Sequence, residues 1–137
     1  MTGKRVLVVD DEPYILRSLS YVLRKVGYEV REARTGGEAL AAIRAEVPDL
    51  CFLDVMLPEV NGFEVCREIR QDPALAGVRI VMLTARGQDQ DRSRAVGADL
   101  FLTKPFSPSR ILEVARSLTS GAEPAGAESR REDASAD

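Results

Sequence analysis

The chain has 137 residues, 45% hydrophobic and 30% charged, enough for one folded core and too apolar for wholesale disorder. It contains no histidine, which excludes Ser-His-Asp triads, imidazole general bases and His-ligated metal sites. A formal net charge of −3, no tryptophan, and only three tyrosines and four phenylalanines argue against a nucleic-acid backbone as the main partner.

Residues 5–10, Arg-Val-Leu-Val-Val-Asp, form a short β-branched run that predicts a strand buried on both faces. Over residues 13–26 the period changes: Ile15, Leu16, Leu19, Val22, Leu23 and Val26 recur at helical spacing until Gly27 stops the helix. Residues 28–33 alternate apolar and polar, which predicts an edge strand. Thr35 with Glu38 has the spacing of a capping box opening a helix over 36–46. A buried strand over 50–54 follows, then a loop with Pro58, Asn61 and Gly62, then a helix from Phe63 that ends before Asp72-Pro73. Residues 78–84 read as a fourth strand, 88–96 as a strongly polar helix and 99–103 as a fifth strand. Ser107-Pro108 supplies an N-cap and a first-turn proline for a last helix reaching about Leu118.

Five alternations of strand and helix predict an α/β fold, a doubly wound (βα)5 parallel sheet of five strands in the flavodoxin-like order 2-1-3-4-5. The folded domain is expected over residues 1–119, with 120–137 a disordered acidic tail. That tail holds five acids and two bases, so residues 1–119 are formally neutral and the net −3 belongs to the end of the chain. Cys51 and Cys66 lie in apolar segments without metal or disulfide spacing and read as buried hydrophobes of a reducing compartment. No apolar run approaches about 18 residues, so membrane insertion is not expected and a cytoplasmic location is.

In such sheets ligands bind beyond the carboxyl ends of the strands. Asp10-Asp11, Asp54, Thr84 and Lys104 stand at four of those ends. Three clustered carboxylates repel one another, and a divalent cation with oxygen ligands, Mg²⁺ above all, relieves that. Lys104 and the Thr84 hydroxyl add a point charge and a donor suited to a phosphoryl group. Singly, each residue has an ordinary structural explanation; Asp11 alone reads best as the cap of the first helix. Together they point to metal-assisted phosphoryl chemistry, with a carboxylate as ligand or nucleophile.

The runs Val-Val-Asp10-Asp11-Glu12-Pro13, Leu53-Asp54-Val55-Met56-Leu57-Pro58 with Asn61-Gly62, Thr84-Ala85, and Gly97-Ala98-Asp99 through Lys104-Pro105-Phe106 resemble the receiver domain of bacterial two-component response regulators. The resemblance spans residue 4 to about 119. It implies that Asp54 accepts a phosphoryl group from a phosphohistidine of a sensor histidine kinase or phosphotransfer protein. It further implies Mg²⁺ bound by Asp11, Asp54 and the Met56 carbonyl, with Asp10 acting mainly through a water. Lys104 would contact a phosphoryl oxygen, Thr84 would rotate toward it, and Phe101 would repack inward. That movement would change the face formed by the 88–96 helix, the fifth strand and the last helix, which a downstream protein effector reads. A cis Lys104–Pro105 peptide is implied as well.

Phe101 stands where many relatives have tyrosine, so a switch there rests on packing. Met56 and Arg86 would flank an attacking water without positioning it, so self-dephosphorylation is expected to be slow. Asn61, in place of a common aspartate, is assigned no function. A receiver so constituted is not an enzyme. An aspartyl-phosphate hydrolase is the alternative, although such enzymes usually carry an acid where Met56 stands; a flavin carrier is disfavoured because Asp10-Asp11-Glu12 would repel the cofactor's phosphate. The eighteen residues after Thr119 cannot fold alone, so a stand-alone, chemotaxis-regulator-like receiver without direct nucleic-acid contact is expected. The N-terminal receiver of a longer DNA-binding regulator is the alternative.

Overall fold

The computed structural model describes residues 3–85 and 96–120. Within them five strands, β1 (Arg5–Val9), β2 (Glu29–Ala33), β3 (Leu50–Asp54), β4 (Arg79–Thr84) and β5 (Leu100–Thr103), form one sheet. All pairings are parallel and the spatial order is β2-β1-β3-β4-β5, as the alternation predicts. The described helices are α1 (Pro13–Lys25), α2 (Gly36–Ala45), α3 (Gly62–Gln71) and α4 (Pro108–Thr119), with a 3-10 turn at Pro73–Leu75. The polar helix expected over 88–96 lies outside the described residues but for Val96, which is in a turn; the acidic tail beyond Ser120 also lies outside them.

Side chains of a strand alternate between its two faces, and the core is divided accordingly. Leu7, Val9, Cys51, Leu53, Ile80 and Met82 face α2 and α3, packing with Ile43, Phe63, Val65 and Ile69. Val6, Val8, Leu50, Phe52, Val81 and Leu83 face α1 and α4, packing with Leu19, Leu23, Ile111 and Leu118. Burial on both faces explains why β1, β3 and β4 read as continuous apolar runs. The alternating β2 is an edge strand, and its outward Glu29, Arg31 and Glu32 are exposed. Charged residues on such an edge discourage pairing with another chain.

Helix ends follow their local chemistry. Gly27, at φ 104°, takes the left-handed conformation just beyond α1 and ends it. At α2, Thr35 Oγ1 accepts from Glu38 N at 3.0 Å, while Glu38 Oε1 reaches back to Arg34 N at 2.9 Å. The box thus closes one residue earlier than its usual form, in which the glutamate returns to the cap residue itself. Ser107 caps α4 through Arg110 N at 3.1 Å. The 97–99 turn is pinned by Asp99, whose carboxylate accepts from Arg70 Nη2 and Ile80 N, each at 2.8 Å.

Candidate functional site

Strand register, not sequence proximity, assembles the site. Val9 pairs with Leu53, Asp54 with Leu83, and Thr84 with Thr103, so the next residues along β1, β3, β4 and β5 share one rim. Lys104 N donates to Thr84 O at 2.7 Å, extending the pairing to the residue that carries the ammonium. Lys104 Nζ then lies 3.3 Å from both Asp10 Oδ2 and Asp54 Oδ1. Asp10, Asp54 and Thr84 are 0%, 3% and 1% exposed, an unusual depth for polar side chains.

Buried carboxylates need partners, and these have them. Asp10 Oδ1 accepts from Glu12 N at 2.9 Å, and Asp54 Oδ1 accepts from Met56 N at 3.3 Å. The first contact turns the chain out of β1 into α1, whose N-cap is Glu12 and has no side-chain capping bond. Asp11 is therefore not the cap of the first helix, as its bland reading would have it. It is exposed, with one carboxylate oxygen grouped with those of Asp10 and Asp54 within 4.8 Å of one another.

Burial pushes the Asp54 carboxyl up to about 6, and the Asp10 charge adds to the rise; Lys104 and the Met56 N–H pull it back. Burial also opposes the Lys104 ammonium, but Asp54 and Asp10 outweigh it and hold its pKa above the ordinary lysine value. Three carboxyl groups face one ammonium on the rim, an excess of acidic over basic groups. That excess, the all-oxygen donor set and the outward-facing Asp11 fit a hard divalent cation such as Mg²⁺.

The loop after β3 fixes where Asp54 sits. Gly62 N donates to Val55 O at 2.9 Å, folding the loop tightly over the strand end. A Cβ at Gly62 would collide with the Asp54 carbonyl oxygen and approach Val55 Cα to 2.9 Å, so only glycine fits. Asn61 Oδ1 accepts from Glu64 N at 3.1 Å and caps α3. This role went unassigned in the sequence, although an asparagine just before an apolar-periodic run is a cap signal.

Met56 is 71% exposed at the loop surface. Phe101 is already buried, paired across the sheet with Met82 and packed on the α2–α3 side. Its ring is inside in this conformation instead of waiting outside. The Lys104–Pro105 peptide is cis, as the resemblance implies. Arg86 lies outside the described residues. Among those described, no helix is long and apolar enough to cross a membrane.

Comparisons with known proteins agree with this arrangement. The chain shares 45% identity over 111 residues with the alkaline phosphatase synthesis transcriptional regulatory protein PhoP of Bacillus subtilis, covering 80% of this chain and 45% of that protein. With the phosphate regulon transcriptional regulatory protein PhoB of Pseudomonas aeruginosa it shares 40% over 114 residues, covering 82% and 50%. The chain thus spans about half the length of these relatives. Their names are those of transcriptional regulators, so they lend no support to the expectation of a stand-alone domain without nucleic-acid contact. Among solved structures, the chemotaxis response regulator CheY4 of Vibrio cholerae superposes with a TM-score of 0.82 at 34% identity, covering 85% of this chain and 99% of that one. A CheY-like response regulator receiver domain protein from Methanospirillum hungatei gives 0.78 at 34% identity, covering 85% and 94%. The family described as response regulator receiver domain matches residues 6–116, from the first residue buried in β1 to the last turns of α4, and the chain belongs to that family.

Proposed function

We propose that the chain is a phosphoryl-operated signalling switch in which Asp54 accepts the group. The observation that carries this reading is the buried Asp54 carboxylate, held at 3.3 Å by Lys104 beside Asp10 and Asp11. An Asp54 oxygen attacks phosphorus, the phosphorus–nitrogen bond of an external phosphohistidine breaks, and the donor imidazole leaves with the electron pair. These 137 residues contain no histidine, so the phosphohistidine lies outside them, on a sensor histidine kinase or a phosphotransfer protein. Asp11, Asp54 and the Met56 carbonyl would hold Mg²⁺, with Asp10 acting through water; when bound, the ion offsets charge on the phosphoryl oxygens. Lys104 stands where it can pair with a phosphoryl oxygen, and Thr84 lies buried on the same rim.

A changed position of Thr84 alters the packing around Phe101, and through it the surface offered to a protein effector in the cytoplasm. Catalysis of other molecules is not part of this role: the exposed Met56 offers no acid or base for rapid turnover. The half-length coverage of the PhoP and PhoB relatives favours a second reading of the output, in which this domain governs an attached DNA-binding domain. Incubation with Mg²⁺ and a small acyl-phosphate donor, followed by intact-mass measurement, tests the common core of both. One added phosphoryl group is expected, absent in Asp54→Asn and under chelation. No gain from either that donor or a histidine-kinase preparation would overturn the proposal.

A further inference from the structure

Two of the proposed magnesium ligands, Asp54 and the Met56 carbonyl, stand where β3 runs into the loop before α3, and tight turns hold that loop. Leu57 N donates to Val55 O at 3.2 Å and Gly62 N donates to the same oxygen at 2.9 Å, so the loop opens and closes on one carbonyl. Met56 is the middle residue of the first of these turns. Further on, Val60 N donates to Pro58 O at 2.8 Å across Glu59, whose φ is 69°. This is the rarer, strained form of the γ-turn, and a non-glycine residue persists in it only where its surroundings fix the backbone.

Those surroundings belong to a different element. Gly36, the first residue of α2, is buried against the loop. A Cβ there would stand 2.6 Å from Val60 O, 2.9 Å from Val60 Cβ and 3.1 Å from Val65 Cγ2, so α2 meets the loop at its backbone as well as its side chains. A Cβ at Gly37 would lie 3.8 Å from Glu59 Oε1, which sets that carboxylate beside the positive end of α2. Thr35 fixes this first turn by capping it through Glu38 N at 3.0 Å.

We propose that Gly36 is a positioning residue for magnesium binding: the first turn of α2, seated against Val60, holds the β3–α3 loop so that the Met56 carbonyl stays on the acidic rim, a role that rests on the ligand set proposed above. Gly36 acts through the loop and is not itself a ligand. Replacing residues that orient a metal ligand in this way commonly weakens affinity by about tenfold or more.

Magnesium affinity of the full chain is measured by calorimetry, and phosphoryl uptake from a small acyl phosphate is followed across magnesium concentrations. Gly36→Ala, which forces the Val60 carbonyl aside, should weaken magnesium binding about tenfold and raise the half-saturating concentration for uptake equally, with the maximal uptake rate kept. Val60→Ala, which removes the seated side chain and forces nothing aside, should shift both in the same direction and replaces Gly36→Ala as the test if that variant does not fold. Asp72→Ala loses a capping bond to Ala74 N at 3.0 Å beyond the far end of α3, and should destabilise the protein without shifting either. Unchanged magnesium affinity in the deciding variant, or an equal weakening in Asp72→Ala, overturns the proposal while leaving the functional reading in place. Wild-type protein that neither binds magnesium nor takes up a phosphoryl group overturns the functional reading and the role of Gly36 with it.

Discussion

The Lys104 ammonium lies 3.3 Å from Asp54 Oδ1, and the same nitrogen lies 3.3 Å from Asp10 Oδ2. One partly exposed cation therefore serves two carboxylates that are almost completely buried. Replacing it leaves the fold intact in shape but strips both acids of their counter-charge. Lys104→Met should destabilise the protein by about 2 kcal/mol at pH 8, a value set below that of a fully buried pair because Lys104 is partly solvated. The loss should shrink toward pH 5, where Asp54 takes up a proton and no longer needs the ammonium. Urea unfolding at the two pH values checks this; an equal loss at both would show that the contact is not electrostatic.

Asp54 by itself works against folding at neutral pH. Its folded pKa of about 6 lies above the ordinary 3.8, so the folded state binds the proton more tightly than the unfolded chain does. The associated stabilisation is fully present below pH 3.8 and is lost as pH rises through about 6. Asp54→Asn removes the titration. Its stability relative to the wild type should therefore improve between pH 4 and pH 7, by an upper limit on the order of 3 kcal/mol. A difference that stays flat across that window would contradict the assigned cause, burial reinforced by Asp10.

The same proton competes with a cation. Ligand carboxylates must be ionised to bind metal. Magnesium affinity, followed by calorimetry, should be level above about pH 7 and fall below about pH 6, approaching tenfold per pH unit. Asp54→Asn should bind more weakly throughout and show a shallower fall. Wild-type affinity unchanged from pH 7 to pH 5 would remove Asp54 from the ligand set.

Gly62 and Asn61 are neighbours with different duties, and their variants should separate. Gly62→Ala forces the Asp54 backbone aside, which should cost about 2 kcal/mol and slow phosphoryl uptake in the presence of Mg²⁺. Asn61→Ala removes only the cap of α3, costing about 1 kcal/mol. Asn61→Asp should retain the cap. Uptake rates and thermal melts on the three proteins distinguish placement of Asp54 from simple loss of stability.

Much of this molecule is legible along the chain because its strands are buried on both faces. Arg5–Val9, Leu50–Asp54 and Arg79–Thr84 can satisfy that environment only with unbroken apolar runs, so strand positions, the parallel sheet and the edge position of Glu29–Ala33 follow from pattern alone. The strand-end rule then names Asp10, Asp54, Thr84 and Lys104 as one site before any distance is known. What pattern does not encode is which atom meets which. That the Asp10 carboxylate turns the chain toward α1 while Asp11 stays exposed depends on the backbone direction at a single residue. That Gly62 must lack a side chain depends on a close approach to Asp54 across a folded loop. Both are contacts through space, decided by how β3 meets its following loop and how Lys104 crosses from β5 to the carboxylates. The sequence by itself determined the architecture and the chemical inventory of the rim, because periodicity and residue type are local properties. Only the tertiary structure decided the pairing, burial and raised pKa of Asp54, because those arise from charges and surfaces brought together from four separate strand ends.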